Sequence, residues 1–257
     1  MFTTEQRDDV RDRVLDLARA DPRVTAGALT GSSAVGAEDD WSDIDVAFGI
    51  INGISPEAVL DDWTEALTRE LGVLHHWDLP FRSSLYCVFL LPSGLEIDVA
   101  VTPQQEFGAR GPRFHTLFGT ARQQEPDLPP SARYLIGLGW HHVLHARSYI
   151  ERGRLWGAEY WISALRDHTV ELACLRLGEE TADVRGVDRL PATVIGPLAE
   201  ALVRSFDDAE LRRSLSVATV SFMAELEAWD PELCAQLEPL LQEVSAPQQP
   251  ESAIEDE

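Results

Sequence analysis

Apolar residues recur at helical spacing near the start of the chain. Val10, Val14 and Leu17 fall on one face of a helix that opens with a capping-box pattern at Thr3. A second helix is predicted in "SPEAVLDDWTEALTREL", which places a serine at the N-cap and a proline at the first helical position. Between these helices, "VTAGALT" and "DIDVAFGI" are predicted to be strands.

Three further extended runs follow the second helix: "GVLHHWDL", "LYCVFLL" and "LEIDVAV". Strands and helices thus alternate through residues 1–125, which predicts an α/β (α+β) domain built on one mixed sheet. The proline-rich segment "ARQQEPDLPPSA" marks the end of this domain.

The pattern then changes to long helical periods, and residues 131–244 are predicted to form an all-α helical bundle domain. Its expected helices cover 131–151, 156–177, 196–206, 208–228 and 231–244. The polar, acidic tail 245–257 is predicted to be disordered.

The composition is that of a soluble cytoplasmic protein. Hydrophobic residues make up 44% of the 257, and no run approaches the roughly 20 apolar residues of a membrane span. The N-terminal segment lacks the apolar core of an export signal. Cys87, Cys174 and Cys234 stand far apart within apolar runs, and we expect them to be buried thiols of a reduced protein.

The charge is strongly one-sided. The formal net charge is −23, and all 21 basic residues are arginines because the sequence contains no lysine. Such a surface repels a nucleic-acid backbone and suits a neutral or cationic small molecule better. Any phosphate must therefore be bound by arginine, backbone N–H groups, hydroxyls or a metal ion.

Carboxylates occupy alternate positions in two of the predicted strands. Asp43 and Asp45 share one strand face, and Asp98 lies on the corresponding face of "LEIDVAV". Three carboxylates on one sheet face repel each other unless cations neutralise them, and hard oxygen ligands suit Mg²⁺. We expect a site for Mg²⁺, with two ions able to bridge an attacking hydroxyl and a nucleoside triphosphate.

The turn before the aspartates carries candidate phosphate ligands. Gly31 allows close backbone approach, and Ser32 and Ser33 offer hydroxyl and N–H donors. The residues after them are predicted to begin a helix, whose N-terminus would favour an anion.

The Gly31-Ser32 pair, the Asp43-Ile44-Asp45 triplet and the later Asp98 together resemble the motif of the nucleotidyltransferase superfamily. The two-domain layout is similar to that of the aminoglycoside and lincosamide nucleotidyltransferases, which modify antibiotics. The resemblance implies transfer of a nucleoside monophosphate, usually AMP from ATP, to an acceptor hydroxyl. It implies Asp43 and Asp45 as Mg²⁺ ligands and Asp98 as the third carboxylate.

One departure concerns the small single-domain members that act as antitoxins. These commonly carry an arginine shortly after the Gly-Ser pair, where this chain has Val35, and Trp41 precedes Ser42. The departure favours an enzyme over the alternative hypothesis, an antitoxin-like or regulatory interaction protein with the same fold. Whether the protein is a homodimer is left open.

The helical region supplies candidates for activating the acceptor. Glu159, Ser163 and Arg166 are neighbours at helical spacing, and Glu159 lies among aromatic residues that could raise its pKa. In the resembling antibiotic enzymes an acidic residue of the helical domain is the general base, and Glu159 is the match. Arg166 is a candidate contact to the nucleotide. The alternative is a surface Glu159 paired with Arg166 or Arg152.

Other polar residues are weaker candidates. His141 and His145 stand four apart on a predicted helix but lack a third metal ligand, so a packing role is favoured. Asp78 could meet a cationic acceptor or belong to a turn. The arginines after Asp98 could reach triphosphate oxygens or be ordinary surface residues, and Arg113 is one of them.

Overall fold

The computed structural model describes residues 1–246, which form two compact units. The first unit is Met1–Asp127 and the second begins at Leu128. The predicted disorder of the tail falls on residues 247–257, outside the described residues. Ser245, which was assigned to that tail, instead ends the last helix.

The first unit is built on a six-stranded mixed sheet with two helices. The helices are α1 (Thr4–Ala20) and α2 (Pro56–Leu71). The strands, in chain order, are β1 (Val24–Thr30), β2 (Ile44–Ile50), β3 (His75–Phe81), β4 (Ser84–Leu90), β5 (Glu96–Pro103), β6 (Gly108–Ala109), β7 (Phe114–Phe118) and β8 (Arg122–Gln123). The main sheet has the order β3-β4-β5-β2-β1-β7, and β6 pairs separately with β8.

Within the main sheet only β2 and β5 run parallel among the described pairs, and the others are antiparallel. The predicted fold class, a mixed sheet with helices followed by an all-α region, is confirmed.

The two faces of the sheet differ because side chains alternate along each strand. Ile44, Val46 and Phe48 of β2 point into the apolar core, which α1 and α2 share. The opposite face is lined by small residues, including Ala47 and Ala100. Phe107 packs over these alanines, whereas Asp45 and Asp98 on the same face are half-buried.

Local signals explain where α1 and α2 begin. The capping box of α1 is present, since the Thr3 hydroxyl accepts the Gln6 N–H and the Gln6 side chain accepts the Thr3 N–H. At α2, Ser55 is the N-cap residue, but its hydroxyl bonds to Glu57 instead of the helix backbone. Pro56 still fixes the first helical φ.

Two short pairings near the end of the unit were not predicted. The segment around "RFHTLFG" forms the edge strand β7, which pairs with β1, and the connector contributes β8. β7 forms because its backbone pairs with the open edge of β1. This pairing joins distant segments, so the composition of β7 alone does not predict it.

The second unit consists of helices. They are α3 (Ala132–Glu151), α4 (Leu155–Leu177), α5 (Ala192–Glu200), α6 (Asp208–Trp229) and α7 (Pro231–Ser245), with short 3₁₀ turns at Ala182–Val184 and Val187–Arg189. The three cysteines are free and buried, as expected. Within residues 1–246 no helix has both the length and the apolar character that crossing a membrane requires.

The helix predicted at 196–206 was wrong in its bounds. The structure begins α5 after Pro191 and ends it at Glu200. One apolar cluster joins α5 to α4 and contains Val194, Ile195 and the buried Leu198. This packing stabilises a helix that continues through Gly196-Pro197, the pair at which the sequence predicted its start.

Candidate active site

Three carboxylates converge on the open face of the first unit's sheet. β2 and β5 are parallel neighbours, and their register sets Asp45 directly beside Asp98. Asp43 stands two residues before Asp45, so alternation returns its side chain to the same face. One carboxylate oxygen from each aspartate lies within 4.8 Å of the other two. The structure thus brings together the three residues that the sequence singled out as metal ligands.

The electrostatics of this cluster fit a bound cation. Burial, followed by the negative charges of Asp45, Glu96 and Asp43, raises the pKa of Asp98 to about 7. Within residues 1–246, the buried Oδ1 atom of Asp98 has no hydrogen-bond partner. A partnerless carboxylate oxygen facing two further carboxylates is the donor set that Mg²⁺ prefers.

The raised pKa of Asp98 predicts a pH dependence of stability in metal-free buffer. A carboxyl whose pKa is about 7 when folded and 3.8 in its ordinary state stabilises the fold below pH 3.8. This contribution is lost as the pH rises through 7. The stability of Asp98→Asn relative to the wild type should therefore rise by about 2–3 kcal/mol between pH 5 and pH 8.5, since about two pH units of this loss lie above pH 5. Urea unfolding with EDTA present measures the difference. A relative stability that is the same at both pH values would contradict the charge repulsion.

Gly31 is required where the turn approaches the carboxylates. Its φ is +61°, in the left-handed region that favours glycine. A Cβ atom built at Gly31 would lie 1.9 Å from Oδ2 and 2.7 Å from Cγ of Asp45. Only glycine at position 31 therefore leaves the space that the Asp45 carboxylate occupies.

Gly31→Ala should therefore damage metal binding beyond its effect on folding. The left-handed backbone costs about 1–2 kcal/mol in stability, and the collision displaces the Asp45 carboxylate. Gly36→Ala is a matched control, because Gly36 has φ +65° but nothing within 4 Å of the added Cβ. Calorimetry should show Mg²⁺ affinity reduced about tenfold in Gly31→Ala and unchanged in Gly36→Ala. Equal affinities in the two variants would exclude this role for Gly31.

The turn after Gly31 is shorter than expected. In place of a full helix, Ser33–Val35 form one 3₁₀ turn, which Gly36 ends in a left-handed conformation. A turn of three residues carries little dipole, so the expected helix N-terminus is absent from this place. Any contribution of the turn to anion binding must come from its individual N–H and hydroxyl groups.

An ion-pair network anchors this turn to α1. The Ser33 hydroxyl donates to Glu38 Oε1 at 2.6 Å, and Arg11 Nη1 donates to the same oxygen at 3.1 Å. The nearly buried Arg7 donates from Nη1 to the Asp39 carbonyl at 2.5 Å. Since the Ser33 hydroxyl is already engaged, Ser32 is the serine whose hydroxyl can turn to a ligand without breaking this network.

Two arginines, Arg110 and Arg113, stand in the segment before β7. Phe114 pairs with Thr30, which places Arg113 beside the turn at Gly31. Arg110 donates to the Glu125 carbonyl at 3.2 Å, and its charge acts on Tyr86. Because the chain has no lysine, Arg110 and Arg113 are the permanently cationic side chains of this segment.

Sequence reasoning missed an aromatic surface beside Asp98. Trp77 pairs with Val88, which in turn pairs with Asp98, so all three side chains share one face. Leu79 and Tyr86 continue this face along the strands. Burial raises the pKa of Tyr86, and the charges of Asp45 and Asp98 add to the effect while Arg110 opposes it. The alternation "HHWDLPF" was the available signal, because Trp77 and Leu79 stand two apart.

Asp78 lies on the other face, which argues against its contact with an acceptor at the acidic site. It pairs with Cys87, whose side chain points into the core shared with the helices. Burial and a hydrogen bond to Asp78 raise the pKa of the Cys87 thiol to about 12.

Glu159 and Arg166 belong to α4 of the second unit and are linked there through Ser163. The Ser163 hydroxyl donates to Glu159 Oε1 at 2.6 Å, and Arg166 Nη2 donates to the Ser163 oxygen at 3.3 Å. Glu159 is half-buried, whereas the aromatic side chains of Trp156 and Tyr160 beside it are exposed. The serine holds the Glu159 carboxylate in one orientation.

Comparisons with known proteins give structural neighbours only. No family model matches the chain, and no curated protein matches it. Among solved structures, the chain is similar to an aminoglycoside 6-adenyltransferase from Bacillus subtilis, at 11% identity and a TM-score of 0.43 over 95% of this chain and 99% of that one. It is also similar to a nucleotidyltransferase-like protein from Exiguobacterium sibiricum, at 12% identity and a TM-score of 0.36 over 91% and 80%. At these identities and TM-scores, the likeness carries no conclusion about the function of this chain.

Proposed function

We propose that the protein is a Mg²⁺-dependent nucleotidyltransferase. It transfers a nucleoside monophosphate, AMP from ATP in the first place, to a hydroxyl of a small acceptor such as an aminoglycoside or lincosamide antibiotic. The observation that carries this proposal is the convergence of three carboxylates, one with a partnerless oxygen, beside a glycine turn.

The carboxylates are the ligands in this proposal. Asp43, Asp45 and Asp98 would hold Mg²⁺, which when bound neutralises phosphate charge and lowers the pKa of an attacking hydroxyl. The repulsion that raises the pKa of Asp98 in the free protein is then relieved. The residues of the chain orient the two substrates and accept the proton.

The nucleotide would be bound by groups around the turn. Gly31 lets the backbone come close to a phosphate, Ser32 contributes its hydroxyl and N–H, and Ser33, whose hydroxyl is bonded to Glu38, contributes its N–H. Arg113, which directly precedes the Phe114 that pairs with Thr30, would supply positive charge for the outer phosphates. We also propose Arg166, a residue of the second unit, as a contact to the nucleotide.

The acceptor would be neutral or cationic because the protein carries a net charge of −23. Its hydroxyl needs a base, and we assign that role to Glu159, whose carboxylate is oriented by Ser163. Proton transfer to Glu159 accompanies attack on the α-phosphorus, and pyrophosphate leaves.

One experiment tests the proposal in two stages. The protein is first melted with each nucleoside triphosphate in the presence and absence of Mg²⁺, since a ligand bound only to the native state raises the melting temperature. It is then incubated with Mg²⁺, the stabilising triphosphate and a panel of antibiotics, and the acceptor mass is followed. The expected product is heavier than the acceptor by one nucleoside monophosphate residue.

The two stages separate the alternatives. A Mg²⁺-dependent thermal shift without a modified antibiotic would keep the nucleotide site and overturn the assigned acceptor. If no triphosphate moves the transition at millimolar Mg²⁺, the enzyme proposal fails, and the interaction protein with a nucleotidyltransferase-like fold replaces it.

A further inference from the structure

Two imidazoles of α3 face each other one helical turn apart. His141 and His145 are at positions i and i+4, and their Nε2 atoms lie 3.0 Å apart. Both side chains are half-buried. Each Nε2 carries a lone pair in one of the two neutral tautomers, so the pair can share a proton or bind one metal ion.

The distance between the two nitrogens selects the kind of ion. Metal–imidazole bonds are about 2.0–2.1 Å long, so two ligands at a right angle lie about 2.8–3.0 Å apart and two at the tetrahedral angle about 3.3–3.4 Å apart. The observed 3.0 Å, which in the metal-free protein is a hydrogen bond between the two rings, matches the right angle. Right angles with nitrogen ligands are the geometry of Cu²⁺ and Ni²⁺, and Cu²⁺ binds such sites most strongly.

We propose that His141 and His145 form a binding site for a tetragonal divalent ion, with Cu²⁺ preferred to Ni²⁺. Water completes the coordination, because among residues 1–246 the acidic triad is the only group of three or more His, Cys, Asp or Glu ligand atoms close enough to hold an ion. The site lies on a single helix of the second unit, so it is independent of the proposed transfer reaction.

Neighbouring rings hold the imidazoles in place. Trp161 of α4 stacks on His145 with ring centroids 4.7 Å apart and meets His141 edge-on at 5.9 Å. His142 contacts the same indole at 4.9 Å. Packed rings have fixed rotamers, so less side-chain entropy is lost when an ion binds.

One charge near the site opposes a cation. The Arg152 guanidinium acts electrostatically on the His145 ring. The positive charge of Arg152 opposes the ion directly, and its removal should strengthen binding.

The test is a CuCl₂ titration of the full chain with excess Mg²⁺ present to occupy the acidic triad. The unpaired electron of Cu²⁺ quenches a nearby indole, so Trp161 reports binding, and EDTA should restore the fluorescence. His141→Ala and His145→Ala should each weaken Cu²⁺ binding by about 10- to 100-fold. Removing a residue that only hydrogen-bonds to a metal ligand already costs this much affinity, and these variants remove a ligand itself. His76→Ala, which removes an exposed histidine of the first unit, is the matched control and should change nothing.

Two further measurements keep the proposal falsifiable if an alanine variant folds poorly. Arg152→Gln should tighten Cu²⁺ binding severalfold, an effect that damage to the fold would not produce. The electron paramagnetic resonance spectrum should show two equatorial nitrogen ligands in the wild type. The proposal is overturned if His141→Ala and His145→Ala bind Cu²⁺ as tightly as the wild type, or if the spectrum shows oxygen ligands alone.

Discussion

Asp45→Asn is expected to lower the rate of nucleotidyl transfer by about 10³-fold or more, because a metal site contributes several kcal/mol to the transition state and each 1.36 kcal/mol is tenfold in rate. Asp45 is set beside Asp98 by the β2–β5 register, and Gly31 fixes the position of its carboxylate. Asp43→Asn should have a similar effect, since its oxygen belongs to the same group within 4.8 Å. The measurement is single-turnover transfer at saturating Mg²⁺ and triphosphate.

The control for these variants is Asp40→Asn, which removes an exposed carboxylate of the same loop outside the triad. All three variants should keep the wild-type circular dichroism spectrum, because removing a charge from a crowded acidic face does not weaken the core. Near-normal transfer by both triad variants would rule out the metal assignment. A loss of transfer in Asp40→Asn equal to theirs would point to the loop instead of the ligands.

Much of the first unit could be predicted from residue patterns. The alternation of apolar and polar residues in "DIDVAFGI" and "LEIDVAV" identified both the strands and the face on which the aspartates lie. The reason is that one face of each strand is fully buried under α1 and α2, so a shift of one residue would expose the whole apolar set. A pattern this strongly constrained can be interpreted without a structure.

The features that sequence reasoning missed depend on contacts between distant segments. β7 forms only because β1 offers a free edge, and α5 continues across Gly196-Pro197 because its apolar residues pack against α4. The hydroxyl of Ser33 is directed to Glu38, whose position depends on Arg11 in α1. The local sequence does not show which distant segment will pack against it. For this reason β7 was not predicted and the bounds of α5 were wrong.

The site shows the same division. The strand register could be expected to align Asp45 with Asp98, whereas the steric reason for Gly31 emerges only from the distance to Asp45. The aromatic face of Trp77 and Tyr86 requires the order of strands β3, β4 and β5, which a single sequence does not fix. The roles assigned to Ser32, Arg113 and Arg166 stay predictions.

Glu159 is the residue of the helical unit that we propose as the general base for the transfer reaction. Its carboxylate accepts a hydrogen bond from Ser163, which itself accepts one from Arg166, so the orientation of Glu159 is set within α4. A base held in one orientation by a neutral hydroxyl keeps an oxygen lone pair for an incoming proton. The alternative is a structural carboxylate that only holds Ser163 and Arg166 in place. The two roles differ in whether basicity or only hydrogen bonding is needed.

Glu159→Gln separates these roles because glutamine keeps the shape and the acceptor for Ser163 but lacks basicity. If Glu159 is the base, kcat should fall by about 10²- to 10⁴-fold while nucleotide affinity, measured by calorimetry with Mg²⁺, stays nearly unchanged. Ser163→Ala should cost less, since it loosens the carboxylate without removing it. Glu171→Gln is the matched control, because it removes a carboxylate of the same helix that pairs with His168 and lies outside the chain of Glu159, Ser163 and Arg166. Wild-type turnover of Glu159→Gln from pH 6 to 9 would return Glu159 to a structural role and leave Asp98 as the next candidate base.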